Sequence, residues 1–315
     1  MRKFIVQFII FTIPIVMLSY PIDYLLSYLI SKSIDNHGEF EVWSDIYNHN
    51  ANCEIAIYGS SRAWVHISPK ILSDSFNQSV YNFGIDGHNF WLQNLRHLEY
   101  LRFNKKPKTI IYSVDMFTLV KRDDLYQPDQ FLPYMLWNKN ITIYTKSYLG
   151  YNPLDYYIPI LRYAGKFDAI KSGIKYGIVE KPIKHYRYKG YKGMERIWNS
   201  DLDKAKENIK SLHINIDQKS LKLFEQFIKE CISTNIELIL VYTPEYIEGQ
   251  NFVTNRKEVI DIYTTFSKKY NILFLDYSKN SICNDRDLFY NSSHLNKLGS
   301  EIFSKELAKD LKGKI

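Results

Sequence analysis

Hydrophobic positions along the chain form one long apolar segment, followed by short apolar strands that alternate with helical patterns. Within residues 4–30, Gln7 and Asp23 are the only strongly polar interruptions. About 20 apolar residues are enough to cross a bilayer as a helix. The pattern therefore predicts one transmembrane helix over residues 1–31 and a linker over 32–52. A buried amphipathic helix at the N-terminus is the alternative.

The residues around the apolar segment indicate its orientation in the membrane and whether it is cleaved. Arg2 and Lys3 precede it, and positively charged flanks stay in the cytoplasm. Neither a small-x-small cleavage site nor a lipid-acceptor Cys follows it, which favours an uncleaved anchor. We therefore expect a single-pass membrane protein with the rest of the chain outside the cytoplasm.

After the linker, the pattern predicts five short strands, at 54–58, 79–83, 108–114, 237–242 and 272–277. Near-helical spacing of apolar residues predicts helices at 88–103, 218–234, 254–270 and 297–311. The third strand is apolar enough to be buried on both faces of a parallel sheet. The alternation predicts an α/β fold over residues 53–315, with a parallel five-stranded sheet in a three-layer α/β/α arrangement.

The alternation is lost between the third and fourth strands, over about residues 117–210. This stretch is rich in Tyr and Trp, and its second half is basic, with Lys181, Lys184, Arg187, Lys189, Lys192 and Arg196. An unstructured loop of this length would be unusual in a compact domain, so we expect a mostly helical insertion that covers one edge of the sheet. Its surface suits an acidic glycan or lipid head groups, with a solvated helical cap as the alternative.

Composition and charge exclude some function classes. The net charge of +7 over 315 residues is modest, and Lys and Arg alternate with acidic residues instead of forming a basic stripe. We therefore expect no nucleic-acid partner. Cys53, Cys231 and Cys283 are too few and too scattered for a metal site or a disulfide framework. No metal or other cofactor is expected.

Two distant motifs carry the candidate chemistry. Ile55-Ala-Ile-Tyr-Gly59-Ser60-Ser61 ends a predicted strand with a Ser, and backbone N–H groups at such a strand-to-helix turn can bind an oxyanion. Asn291-Ser-Ser-His294 precedes the last predicted helix. A serine nucleophile requires a general base within hydrogen-bond reach, and His is the usual one. We therefore predict Ser61 as the nucleophile and His294 as its base.

Four short blocks resemble those of the SGNH, or GDSL-type, hydrolases and acyltransferases, over about residues 54–311. Gly59-Ser60-Ser61 matches the family's Gly-Asp-Ser block, and Asn82-Phe-Gly84-Ile-Asp-Gly87 matches its second block. The resemblance implies that the backbone N–H groups of Ser61 and Gly87 line an oxyanion hole. Gly-x-Ser also occurs in α/β-hydrolases, but that fold requires several strands before the Ser, and only one is predicted here.

The other two blocks depart from the family pattern. In Ser113-Val114-Asp115-Met116, Asp115 replaces the family's oxyanion-binding Asn, and an ionised carboxylate cannot donate a hydrogen bond. Asp115 therefore points elsewhere, is held neutral, or leaves the oxyanion hole to backbone groups. Asn291 replaces the Asp that orients the catalytic His; its carbonyl can still fix the imidazole tautomer. Asp287, one turn upstream, is the alternative orienting residue.

Two further histidines lie near these blocks. His88 follows Gly87 directly, and we expect it at the mouth of the pocket, outside the catalytic pair. His66 is the other candidate base, but its position on the helix after Ser61 gives an unsuitable angle for proton transfer.

The resemblance implies acyl transfer through a Ser61 acyl-enzyme, with water or a sugar hydroxyl as acceptor. An anchor and an aromatic insertion fit an esterase or O-acyltransferase of an envelope or capsular glycan. Anchored bacterial relatives of the family work beside membrane-bound O-acyltransferases, so such a partner is implied. Two alternatives remain open: a catalytically weak or inactive binding or scaffold partner of such an enzyme, and a lipid esterase.

Overall fold

The computed structural model describes residues 1–180 and 185–315. The chain divides into two compact units, each made of two chain segments. The helical unit is Met1–Ser44 with Asp123–Tyr186, and the sheet unit is Asp45–Arg122 with Arg187–Ile315. The stretch predicted as one insertion, 117–210, is therefore shared between the two units. Lys181 and Lys184 of its predicted basic half lie outside the described residues.

The described α-helices, in chain order, are α1 (Arg2–Ile30), α2 (Glu39–Tyr47), α3 (Ser61–His66), α4 (Pro69–Phe76), α5 (Phe90–Phe103), α6 (Lys139–Thr145), α7 (Phe167–Ile174), α8 (Asp201–Asn208), α9 (Gln218–Ser233), α10 (Ile247–Asn251), α11 (Arg256–Tyr270) and α12 (Lys297–Leu311). The helices predicted at 88–103, 218–234, 254–270 and 297–311 correspond to α5, α9, α11 and α12. Their bounds differ from the predicted ones by two residues or fewer.

A parallel sheet forms the centre of the sheet unit. Its strands are β1 (Ile55–Gly59), β2 (Val80–Asn82), β3 (Thr109–Val114), β4 (Glu237–Tyr242) and β5 (Leu273–Asp276). They are ordered β2-β1-β3-β4-β5, and every neighbouring pair is parallel. The predicted α/β class and five-stranded parallel sheet are confirmed. The strand order reverses between β1 and β3, and open α/β sheets bind ligands beyond the carboxyl ends of the strands at such a switch point.

The sheet is covered on both faces because successive side chains of a strand point in opposite directions. Ile55 and Ile57 of β1 belong to a core cluster with residues of α3, α4 and α12. On the other face, the ring of Tyr112 in β3 packs against Phe90 of α5 and Phe224 of α9, with ring centroids 5.9 and 5.4 Å apart. These two cores give the predicted three-layer arrangement.

The helical unit contains α1, α6 and α7, a π-helical turn at Lys175–Val179, and 3-10 turns at Asn36–Gly38, Pro128–Tyr134, Pro153–Tyr156 and Leu161–Tyr163. Helix α1 has the length and composition of a membrane-crossing helix, and a signal sequence shares both properties. The unit is therefore consistent with the predicted anchor.

A short antiparallel hairpin follows the sheet, and the sequence pattern did not predict it. Its strands are β6 (Phe289–Asn291) and β7 (His294–Leu295), and 3-10 turns at Ser281–Asn284 and Arg286–Leu288 precede it. Asn291 and His294 are paired across the hairpin. The hairpin therefore holds the predicted base and its predicted orienting residue side by side.

Candidate active site

Ser61 is the first residue of α3 and follows β1 after a single intervening residue. That residue, Ser60, caps the helix, and its Oγ accepts a hydrogen bond from the N–H of Arg62 (3.3 Å). Gly59 has a φ of +143°, and a Cβ at this position would lie 2.6 Å from the carbonyl oxygen of Ser113. Only glycine fits such a turn. The turn fixes Ser61 at the carboxyl edge of the sheet, beside the switch point.

Folding brings Ser61 and His294 together across 233 positions of the chain. The Oγ of Ser61 lies 2.7 Å from the Nε2 of His294. This is the contact that a serine nucleophile and its general base require.

Asn291 fixes the tautomer of His294. Its Oδ1 accepts hydrogen bonds from the backbone N–H groups of Ser293 (3.1 Å) and His294 (3.0 Å), so this atom must be the amide oxygen. The same oxygen lies 2.9 Å from the Nδ1 of His294, which must therefore carry the proton. The lone pair of Nε2 is then directed at the hydroxyl of Ser61.

Asp287 does not reach the site, and we correct its interpretation as an alternative orienting residue. It lies in the 3-10 turn Arg286–Leu288 with an exposed side chain, and its carbonyl oxygen accepts a hydrogen bond from Asn296 (2.6 Å). The alternative required a helical or tightly wound segment between residues 287 and 294. The chain forms the β6–β7 hairpin there instead, which places Asn291 beside His294.

His66 is hydrogen-bonded to the backbone next to His294 and does not act as the base. It is buried, its Nε2 accepts a hydrogen bond from the N–H of Leu295 (3.0 Å), and its Nδ1 lies 2.9 Å from the Oγ1 of Thr243. Burial and the neighbouring Arg62 lower the pKa of His66 well below its ordinary value, so the ring is neutral. With both nitrogens occupied, it holds β7 in place.

The pKa of His294 favours the neutral base. Removal from bulk water and the nearby positive charge of Arg62 lower its pKa from the ordinary 6.5 to about 4, although Asp86 and Asp201 act in the opposite direction. Asn291 is uncharged and so cannot stabilise the imidazolium form electrostatically. At neutral pH the imidazole is therefore unprotonated, which is the form that a general base requires.

Ser61 and His294 line a cavity of about 360 Å³, together with Ser60, Arg62, Gly87, His88, Asn89, Asp115, Phe117, Val120, Arg122, Glu245 and Ser293. His88, which was expected at the mouth of the pocket, is one of these lining residues and is buried. A second cavity of about 240 Å³ shares Phe117, Glu245, Ser293 and His294 with the first. His294 therefore lies in a wall that belongs to both cavities.

Asp115 lines the main cavity, but its carboxylate is an acceptor for groups of the protein. Its Oδ2 accepts a hydrogen bond from the hydroxyl of Ser60 (2.5 Å), and its Oδ1 accepts one from the N–H of Phe117 (2.7 Å). We therefore correct its assignment to the oxyanion hole. The geometry favours the possibility that Asp115 points away from the oxyanion. Its carboxylate points towards Ser60 and Phe117 and stabilises the turn before Ser61.

Gly87 and Asn89 line the cavity near Ser61, and sequence reasoning missed Asn89. Asn89 is only 6% exposed and is the N-cap residue of α5, yet its side chain makes no capping hydrogen bond. Among the described residues, no side-chain hydrogen bond of Asn89 is found. Buried amides are normally paired, and an N-cap Asn normally accepts a helix N–H. The sequence feature that could have identified Asn89 as a site residue is its position two residues after Gly87.

A buried charge network stabilises the floor of the site. The guanidinium of Arg62 donates to the hydroxyl of Tyr242 (3.2 Å) and to the carbonyl of Thr243, and lies 3.6 Å from the carboxylate of Glu245. Arg256 pairs with the same carboxylate at 3.0 Å. Because Arg62 and Glu245 are buried and partnered, they hold the residue after Ser61 in one position. Within residues 1–180 and 185–315, no cluster of His, Cys, Asp and Glu is suited to a metal ion.

Comparisons with known proteins gave distant structural matches. No family model and no curated protein matches the chain. Similar solved structures include a protein assigned to the G-D-S-L lipolytic family from Desulfitobacterium hafniense (14% identity, TM-score 0.39, 81% of this chain and 98% of that one). Others are the acetyl xylan esterase AlAXEase (12%, 0.40, 83% and 99%) and a GDSL-like lipase from Bacteroides thetaiotaomicron (9%, 0.37, 87% and 98%).

The class of the site follows from the chain's own geometry. Parallel strands in the order β2-β1-β3-β4-β5 carry Ser61 at the switch point, and the hairpin supplies His294 and Asn291. The α/β fold with a parallel five-stranded sheet, predicted from the alternation of strands and helices, is what places these residues together. Such a nucleophile, base and orienting residue are equipped for acyl-transfer chemistry.

Proposed function

We propose that the protein is a serine esterase or O-acyltransferase that works through a Ser61 acyl-enzyme. The 2.7 Å contact between Ser61 and His294, with the His294 tautomer set by Asn291, carries this proposal. His294 takes the hydroxyl proton as the Oγ of Ser61 attacks the acyl carbonyl, and then gives it to the departing alkoxide. In the second half-reaction, His294 deprotonates water or an acceptor hydroxyl, which attacks the ester and frees Ser61.

The negative charge that develops on the carbonyl oxygen requires hydrogen-bond donors. We assign this role to the backbone N–H groups of Ser61 and Gly87 and to the side-chain amide of Asn89. The location of Asn89 in the cavity wall and its lack of a side-chain partner among the described residues support the assignment. Asn89 thus replaces the donor that Asp115 cannot supply.

We expect Asn291→Asp to move the acidic limb of activity to higher pH. In the wild type, the pKa of His294 is lowered to about 4, so kcat/KM should rise through that pH and then level off. A carboxylate beside Nδ1 favours the imidazolium, which raises the pKa of His294 by roughly a unit or more. The pH profile of kcat/KM with an activated aryl ester measures this shift, and total activity near neutral pH should be maintained or increased.

Asn208→Asp is the matched control, since it makes the same chemical change at an exposed position of α8. Its profile should coincide with that of the wild type. If the Asn291→Asp profile also coincides with it, Asn291 does not partner His294 in solution.

The proposed substrate is an envelope or capsular glycan. The two adjoining cavities support acyl transfer, because one can hold the acylated group while the other holds an acceptor hydroxyl beside the same His294. The resemblance to anchored bacterial enzymes adds a membrane-bound O-acyltransferase as the partner that supplies the acyl group.

The proposal places the protein in the bacterial cytoplasmic membrane, with α1 as a retained single-pass anchor and the catalytic residues outside the cytoplasm. Arg2 and Lys3 support this orientation. Within the helical unit, Asp23 of α1 pairs with the buried Arg162 at 2.6 Å. Cleavage after α1 would leave that guanidinium buried without its carboxylate, which is strongly unfavourable. The ion pair therefore supports retention of α1.

Two other functions have specific observations in their favour. The uncharged Asn291 and the acceptor role of Asp115 suit a weak or inactive scaffold partner of an O-acyltransferase. The apolar α1 suits a lipid esterase that takes its substrate from the membrane.

The test of glycan acylation uses a strain that carries Ser61→Ala. We expect its surface polysaccharide to lose O-acyl groups, which NMR of the purified polysaccharide measures directly. Ser75→Ala is the matched control, because Ser75 is an exposed Ser of α4. A gain of O-acyl groups identifies a deacylase instead, and an unchanged spectrum excludes this glycan as the substrate.

A further inference from the structure

Helix α1 changes its surroundings along its length. From Phe4 to Leu18 its large apolar side chains are exposed; further along, Asp23, Leu29 and Ile30 are buried on one side, while Tyr24, Leu25 and Tyr28 stay exposed. The buried end packs against α7 and the π-helical turn of the same unit. A Cβ on Gly173 would lie 2.8 Å from the backbone nitrogen of Ile30, and a Cβ on Gly177 would lie 2.7 Å from a side-chain carbon of Leu29. This close packing makes the end of α1 part of the helical unit.

A buried ion pair fixes α1 in this position. Arg162 is 2% exposed and Asp23 is 4% exposed, and their side chains form two parallel hydrogen bonds of 2.6 and 2.7 Å. Asp23 also accepts from the N–H of Ile160 (2.6 Å), and Arg162 donates to the carbonyl of Leu132 (2.7 Å). Because both charged groups are satisfied inside the unit, the direction of α1 relative to the neighbouring turns is defined.

The length of the exposed part of α1 matches a bilayer. About 20 residues separate Lys3 from Asp23, and at 1.5 Å per residue they span roughly 30 Å, the thickness of the hydrocarbon core. With Arg2 and Lys3 on one side of the membrane, Asp23 reaches the opposite interface. The turns that contact α1 beyond Tyr20 therefore lie at the level of that interface.

Exposed aromatic and aliphatic side chains also lie on segments of the helical unit outside α1, including α7 and the π-helical turn that contact it. The ring of Trp137 packs on Tyr20 of α1 with centroids 5.1 Å apart, and the Nε1 of Trp137 donates to the carbonyl of Tyr157 (3.0 Å). Phe167 of α7 is 70% exposed. Among the described residues outside α1, most of the exposed large hydrophobic side chains belong to the helical unit. Soluble surfaces rarely collect such side chains, whereas Trp and Tyr are enriched at membrane interfaces.

We propose that the helical unit binds the outer surface of the phospholipid bilayer through a collar around α1. The collar consists of Tyr20, Trp137, Tyr157, Ile158, Phe167 and Ile178. Its aromatic and aliphatic side chains enter the boundary between head groups and acyl chains, and the exposed Lys171 of α7 lies within reach of lipid phosphates. The proposal rests on the anchored location proposed above and adds a second, interfacial membrane contact to the single helix.

The collar is tested by spin labels in the full-length protein, reconstituted into vesicles of phosphatidylethanolamine and phosphatidylglycerol. Single Cys substitutions Tyr157→Cys, Phe167→Cys and Ile178→Cys carry the label, and the three native cysteines are buried. Collisions with oxygen, which concentrates in lipid, and with a water-soluble nickel complex report the depth of each label. We expect the collision rate of the collar labels with oxygen to be several-fold higher than their collision rate with the nickel complex.

Labels at two further positions serve as the water and lipid references for the collar labels. Ile197→Cys lies at an exposed apolar position of the sheet unit and should report water, while Phe11→Cys lies in the exposed part of α1 and should report lipid. If the collar labels are as accessible to the nickel complex as the label at Ile197→Cys, while the label at Phe11→Cys is in lipid, the collar proposal is wrong. The proposed anchor is then unaffected. Collar labels shielded from both reagents indicate a protein partner or a second copy and overturn the lipid assignment. A Phe11→Cys label in water removes the anchored location itself.

Discussion

Alanine at Ser61 or at His294 should each reduce acyl-enzyme formation by a factor on the order of 10³ or more, and the double variant should lose little beyond either single one. The reason is the 2.7 Å contact between the Oγ of Ser61 and the Nε2 of His294. Without the imidazole, the hydroxyl is a poor nucleophile; without the hydroxyl, the base has no reaction to assist. The two residues therefore act as one unit, and their effects are not additive.

Labelling by a fluorophosphonate probe measures this unit without knowledge of the natural substrate. The probe should modify Ser61 in the wild type, and the rate of labelling should fall below detection in His294→Ala. His213→Ala, an exposed His outside the cavity, is the matched control and should label at the wild-type rate. Undiminished labelling of His294→Ala would refute His294 as the base.

Replacement of Asn89 by Leu should lower kcat by about 10²–10³ with little change in KM, the effect typical of losing one oxyanion donor. The amide of Asn89 lines the cavity and makes no side-chain hydrogen bond among the described residues. A group that is idle in the resting protein and binds only the developing oxyanion should affect kcat selectively. Steady-state kinetics with an activated aryl ester measures both parameters.

Thermal unfolding distinguishes this role from a structural one. Because Asn89 makes no capping bond, Asn89→Leu removes no hydrogen bond that holds the fold and should leave the Tm nearly unchanged. A lower Tm together with an unchanged kcat would mean that Asn89 serves the fold. A raised KM with an unchanged kcat would mean that it binds the ground state of the substrate and not the oxyanion.

Much of the fold was predictable because its signals are local. The apolar run of β3 and the periodicity of α9 and α12 depend on residues that are neighbours in sequence, and the predicted bounds of α12 agree with those observed. Gly59 and Ser61 were recognisable for the same reason, since the turn from strand to helix is specified within a few residues. The motif at His294 was likewise short, so both members of the proposed catalytic pair could be named.

Local patterns named the polar residues around that pair but left their roles open between alternatives. Asn291 rather than Asp287 orients His294 because the chain forms a hairpin whose pairing depends on its packing in the folded sheet unit. The carboxylate of Asp115 turns towards Ser60, 55 positions away, and this contact exists only after β1 and β3 have paired.

The sequence by itself determined the order of strands and helices, the apolar first helix, and the identities of Ser61 and His294, because each depends on residues close together along the chain. Only the tertiary structure decided that α1 packs against α7 and that its Asp23 pairs with Arg162 of the 3-10 turn Leu161–Tyr163, 139 positions away. It also decided that Asn89 lines the cavity and makes no side-chain hydrogen bond to the part of the chain that the structure describes. A side chain's hydrogen-bond partners are set by whichever distant segments fold against it, and neither residue type nor spacing carries that information.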